Sequence, residues 1–240
     1  MTSDSGLPTG SDLRNGDDGT PPIWLTGAWI RQARTFDDGQ PTECSDVAWL
    51  QVGRWFADFR IPRPGQKAVH PFDVAQASSG RLDVVNVSDR GASVTWRHDL
   101  DTEDRAASDP DTAQVALGEG ILVESGTGYV EWWRRPDGEE SDATGLVLER
   151  LGSTADGDAS TGGPDDGERT VTARVICVGQ MAVAVWDTPE PGGAWCTADG
   201  DWEPDRLVGT MAEHADSVRA LRSGVAGETL PDSWREQRER

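Results

Sequence analysis

The sequence predicts an all-β protein of antiparallel strands, closed as a barrel or stacked as a sandwich. Three observations carry this. Short runs rich in Trp, Val, Ile and Thr recur along the chain, separated by turns bearing Gly, Asp and Pro. Within several runs apolar and polar residues alternate, the period of a strand with one buried face. No strand–helix–strand rhythm appears, which argues against a parallel sheet.

Residues 1–22 hold Gly, Ser, Asp, Thr and Pro with two isolated leucines. They offer too little apolar surface to offset ordering entropy and are expected to form a disordered acidic tail. Order begins at Ile23, with a first strand running to Phe36 and a turn at Asp37-Asp38-Gly39. The chain is organised around the hairpin over 46–61, which turns at Val52-Gly53-Arg54. On its second arm Trp55, Ala57, Phe59 and Ile61 face one way, and Phe56, Asp58 and Arg60 the other. That second face points either to solvent or into a barrel. Pro62 and Pro64 end the sheet, because Pro has no N–H for the ladder. Pro71 opens a short helix over 72–78.

Strands follow over 81–87 and 92–99, then an acidic loop over 101–111. A hairpin over 114–117 and 121–125 turns at Gly118-Glu119-Gly120, and another strand occupies 129–135. Further strands are expected at 146–151, 170–178 and 181–187. Between them 152–167 is low-complexity and reads as a disordered insertion. Residues 188–205 read as loop. From 210 to 223 the apolar spacing changes to three or four, which predicts an amphipathic helix before a charged, fraying end at 235–240. An internal echo joins Leu50-Gln51-Val52-Gly53-Arg54-Trp55 to Ile176-Cys177-Val178-Gly179-Gln180-Met181. It divides the chain into a first lobe over 23–127, a second over 128–209 and a C-terminal helix and tail over 210–240.

The 240 residues carry 43 Asp and Glu against 22 Lys and Arg, a formal charge of −21, with a single lysine, Lys67. Such a surface repels nucleic acid and anionic membranes, so neither is an expected partner. Hydrated carboxylates of this density suit a salt-adapted proteome. Apolar residues make up only 35%, but eleven tryptophans supply large buried area. Cys44, Cys177 and Cys196 show neither disulfide-framework nor zinc-ligand spacing, and an odd count fits a reducing cytoplasm. The N-terminus lacks a signal-peptide pattern, and no apolar run is long enough to span a membrane.

Several stretches resemble a little-studied family. They are Trp49-Leu50-Gln51, Ala57-Asp58-Phe59-Arg60-Ile61-Pro62, the run from Gly118 to Ser125, Tyr129-Val130-Glu131-Trp132-Trp133-Arg134 and Val178-Gly179-Gln180-Met181. The family is lipocalin-like (calycin-type); its fungal members include a yeast casein-kinase-interacting protein, and it has bacterial relatives. The resemblance spans 24–186 and implies two antiparallel lipocalin-like barrel lobes. The tail, the 152–167 insertion and the C-terminal helix depart from it. It brings no assigned activity or catalytic residue.

Candidate ligand-binding residues follow from chemistry. Inside a barrel, Asp58 and Arg60 would form a charge-paired floor, with Arg60 able to clamp a ligand carboxylate; the alternative is an ion pair closing a barrel end. Gly27-Ala28-Trp29 resembles the Gly-x-Trp of calycin first strands, where the Trp plugs one barrel end; plain core packing is the alternative. Trp49 lies on the central hairpin. His98 shares a strand face with Val94 and Trp96, and suits a haem-iron ligand, a general base or simply a strand end. Trp132 and Arg134 sit in a run that alternates one Trp/Arg pair per face, suited to stacking on a ligand or supporting a seam between lobes. No nucleophile elbow, phosphate loop, dinucleotide fingerprint or zinc-protease motif occurs. No metal, cofactor or catalytic residue is expected. The expected function is an intracellular binding or interaction protein holding a small apolar or anionic ligand. Alternatives are a protein-binding adaptor with filled barrels, or an enzyme using Asp58 or His98 as acid or base.

Overall fold

The computed structural model describes residues 19–37, 39–66, 73–103, 111–136, 145–152, 170–187, 190–197, 204–208 and 211–237. Eight strands follow one another around a closed antiparallel barrel. They are β1 (Gly27–Phe36), β2 (Ser45–Val52), β3 (Trp55–Pro62), β4 (Gln76–Val85), β5 (Gly91–Asp101), β6 (Asp111–Leu117), β7 (Ile121–Gly126) and β8 (Tyr129–Arg134). A single turn of 3-10 helix (Ile23–Leu25) precedes β1. Pairing of β8 with β1 closes the ring, so neither strand leaves an unpaired edge. Alternation decides what fills it: Trp29, Val47, Trp49, Phe56, Leu82, Trp96, Val115, Leu122 and Trp133 cluster inside.

The second half forms a sheet in the order β13-β12-β11-β10-β9-β14. Its strands are β9 (Gly145–Leu151), β10 (Val171–Val178), β11 (Met181–Trp186), β12 (Gly192–Thr197), β13 (Pro204–Val208) and β14 (Trp234–Glu236). One face lies on the outside of the barrel, where Ile176, Val178, Met181 and Val183 meet Ala48, Leu50, Ala57 and Phe59. The other face packs Val175, Cys177, Ala182 and Ala184 with Ala220 and Leu221 of helix α1 (Met211–Ala226). Strands buried on both faces need apolar residues at every position, and β11 is buried along its whole length. Among the described residues no helix is long and apolar enough to cross a membrane.

The all-β class, the antiparallel barrel and the C-terminal helix match the sequence reading. The second barrel does not: strands β9 to β14 form an open sheet between barrel and helix, with both faces already covered. The boundary also moves. Residues 129–134 complete the first barrel, because β8 pairs with both β1 and β7. Where a helix was expected over 72–78, Gln76, Ala77 and Ser78 pair with Arg60, Phe59 and Asp58, and Phe72 lies outside the described residues. The expected loop at 188–205 contains β12, anchored by Ala194 and Cys196, and the start of β13. The C-terminal end holds β14, paired with β9, rather than fraying from 235. Of the segments expected to be disordered, 1–22 and 152–167, residues 1–18 and 153–167 fall outside the described residues, whereas Pro21 is buried and Gly152 donates its N–H to the Thr170 carbonyl. The two echoing segments are both hairpins with two-residue turns led by a glycine of positive φ, 50° at Gly53 and 53° at Gly179. Both contribute to the core between barrel and sheet.

Candidate functional site

The barrel interior is graded from apolar to charged. At the end capped by the 3-10 turn, Trp29 is fully buried and donates its indole N–H to the Leu25 carbonyl at 2.9 Å. The Arg135 guanidinium lies 4.2 Å above the Trp29 ring and donates to the Trp24 and Thr26 carbonyls. Mid-barrel, Trp49 meets Trp96 and Trp133 edge-on, each with ring centroids 5.7 Å away.

Beyond this plug the inward positions turn polar. Asp58 and Arg60 form a 2.9 Å ion pair on β3. Arg31 is bound by Glu43 at 2.7 Å and Glu131 at 2.6 Å, and Arg34 is paired with Asp73. A β-bulge between Arg31 and Ala33 shifts the phase of β1. It places Arg34 and Phe36 on the cavity wall, where uninterrupted alternation from Trp29 would put Ala33 and Thr35. Glu131 stands directly opposite Glu124 in the β7–β8 register, and Tyr129 donates its hydroxyl to Glu124 Oε1 at 2.8 Å.

These groups surround a cavity of about 140 Å³ lined by Arg34, Phe36, Arg60, Asp111, Glu124, Tyr129 and Glu131. A smaller inner chamber of about 40 Å³ shares Arg60, Asp111, Glu124 and Glu131 with it and adds Trp49, Asp58, Ser78, Trp96, His98 and Trp133. His98 Nδ1 lies 3.5 Å from Asp101 Oδ2, and its Nε2 lies 3.8 Å from Asp111 Oδ2. Burial, then the facing Glu131, push the Glu124 carboxyl well above the usual carboxylate range, against the Tyr129 hydrogen bond. Burial and the neighbouring Glu124 push the Tyr129 phenol up. Burial works against the charge of Arg60, but Asp58 and Glu131 outweigh it and hold the guanidinium ionised.

Of the residues singled out in the sequence, Asp58, Arg60, Trp49, Trp96 and His98 therefore meet around one chamber. Trp29 plugs the opposite end of the barrel. Trp132 and Arg134 alternate with inward Trp133 and Glu131; Trp132 is half-buried and Arg134 exposed. Between barrel and sheet the tryptophans are Trp55 and Trp195, with Arg81 and Arg174 at 4.8 and 4.5 Å from the Trp55 ring. Sequence reasoning missed Arg31, Arg34, Asp111, Glu124, Tyr129 and Glu131. The signal available was a carboxylate on the otherwise apolar face of a strand, Leu122 before Glu124 and Trp133 after Glu131. Among the described residues no cluster of His, Cys, Asp and Glu is arranged to hold a metal ion.

No protein-family model matches this chain, and no curated protein sequence matches it. Among solved structures it is similar to the crystal structure of an uncharacterized protein from Saccharomyces cerevisiae. The TM-score is 0.53 and the identity 10%, over 81% of this chain and 87% of that one. At this identity the likeness shows the fold alone.

Proposed function

We propose that this chain is a binding protein of lipocalin-like build that takes a small polar ligand into the open end of its barrel. One observation carries the reading: the barrel is packed solid with tryptophan at one end and hollow at the other, where charged side chains converge. A barrel filled throughout would instead favour an adaptor. The Gly27-Ala28-Trp29 start of β1, with Trp29 as the end plug, supports the lipocalin-like assignment. Three reduced, buried cysteines support a cytoplasmic setting. The Trp plug leaves little room for an apolar ligand, so the ligand is polar. A second reading, acid–base catalysis, draws on His98 lying between Asp101 and Asp111 beside the same chamber; it predicts turnover of a compound rather than its retention.

Native mass spectrometry of the full chain, beside tryptophan fluorescence, tests the binding reading. A retained small mass is expected, together with a fluorescence change on rebinding, because Trp49, Trp96 and Trp133 border the inner chamber. Arg60→Ala is expected to lower stability by about 3–5 kcal/mol, since Asp58 loses its ion-pair partner at the chamber floor. A spectrum showing the bare chain, with no fluorescence response to any compound in a metabolite screen, would overturn the reading.

A further inference from the structure

We infer that the chamber takes a small organic cation, its ammonium or amidinium group held between the Glu124 and Glu131 carboxylates. The inference rests on the binding reading above and names the ligand's chemistry.

The charge balance is the first support. Arg34 and Arg60 line the outer chamber, but each already has carboxylate partners: Asp73, with Glu131 at 3.8 Å, for Arg34, and Asp58 for Arg60. Arg31, behind the wall, is shared between Glu43 and Glu131. Among the described residues, three guanidinium groups thus stand among six carboxyls, counting Glu124 and Asp111, the latter beside His98. An added anion would deepen this imbalance, and a cation would relieve it. The pairing is specific as well: Glu124 and Glu131 are cross-strand partners on the same inner face, 6% and 5% exposed. Two carboxyls so placed favour a proton or a cation between them.

A second, independent observation concerns the inner chamber. Trp133 is 2% exposed and lines it, yet its indole N–H has no hydrogen-bond partner, and neither ring nitrogen of His98 has one. A buried donor without an acceptor is costly, so this wall is suited to an acceptor such as a hydroxyl or carbonyl oxygen. The cavity of about 140 Å³ is well under the roughly 300–1,000 Å³ of sites for drug-sized molecules. The ligand class is therefore short: a cationic head for the glutamates, and an oxygen that reaches toward Trp133.

Titration calorimetry of the full chain with three probes of matched length tests this: aminobutanol, the hydroxybutyrate anion and neutral butanediol. Aminobutanol is expected to bind at least about tenfold more tightly than butanediol, and hydroxybutyrate to give no heat. The groups facing Glu124 are Glu131 and Tyr129 from β8, Asp111 from β6, His98 from β5, Asp58 and Arg60 from β3, and Arg34 from β1. A cation placed there should drive a proton off Glu124, so the heat should vary with the ionisation enthalpy of the buffer. Glu124→Gln, nearly isosteric with the protonated acid, should still melt cooperatively, lose the buffer dependence and bind aminobutanol about tenfold more weakly. Equal affinity for all three probes, or tighter binding of hydroxybutyrate, would overturn the cation assignment while leaving a binding chamber. Silence with all three also overturns it; a retained mass in the native spectrum then preserves the binding reading, and a bare chain removes both.

Discussion

Glu124 is the residue at which stability and pH meet. Its carboxyl is held protonated by burial and by Glu131 across the strand pair, well above its ordinary 4.5. In the unfolded chain it ionises near that ordinary value, so between the two pKa values the folded state holds the extra proton. The Glu124 contribution to stability is therefore greatest in acid, falls as pH rises from about 4.5, and levels off once the folded pKa is passed. Glu124→Gln does not titrate. In urea denaturation its stability relative to the parent should improve as pH rises above about 4.5, and a constant gap would count against a raised Glu124 pKa. The sequence discloses the chemistry of such residues only where strand phase is regular. Asp58 and Arg60 were placed correctly by counting in twos along β3. Arg34 and Phe36 were not, because the bulge in β1 resets the count, and nothing in the local residue types marks it.

At the scale of the element, β14 is the informative case. Three residues long, it hydrogen-bonds to β9, and Trp234 enters the core beneath α1. Trp234 Nε1 donates to Asp216 on that helix at 3.1 Å, while Arg235 and Gln237 both donate to the buried Glu149. Glu149 also binds Arg174 at 2.6 Å, and Arg174 reaches Asp99 and Ser79 in the barrel. The C-terminal strand is thereby connected to the barrel through two buried charges. Trp234→Ala should cost about 3–5 kcal/mol, the usual range for a large aromatic deleted from a core. Hydrogen exchange should speed up in β9 and α1 and remain slow in β6 and β7 on the barrel; uniform loss of protection would mean that the layers unfold as one unit. The charged composition of 235–240 conceals this element. Only Trp234 hints that the segment packs, and one aromatic without a period predicts neither strand nor helix.

For the molecule as a whole, the surplus of carboxylates sets the response to salt. With a formal charge of −21, self-repulsion should lower stability when it is least screened. The melting temperature should rise as KCl goes from about 10 mM to about 1 M, over which the Debye length falls from roughly 30 to 3 Å. A flat profile would show that ion pairs such as Arg63–Asp46–Arg206, which joins barrel to sheet, already absorb the repulsion. Fold class was legible because it depends on period and turns, both local. The arrangement of the second half was not: β11 and the second half of β10 are apolar on both faces, and an apolar run reads the same whether it closes a barrel or is sandwiched between layers.

The barrel is written in one uninterrupted stretch, from Gly27 to Arg134, and its covering sheet comes entirely afterwards. During synthesis the ring can close about fifty residues before β11 is complete, an interval of roughly 3–10 s at about 5–20 residues per second. Throughout that interval Ala48, Leu50, Ala57 and Phe59, the outer wall that the sheet later hides, face water. The nascent barrel is thus complete as a ring before it is shielded, and the ribosome-bound chain presents a greasy flank until β10 and β11 emerge to cover it.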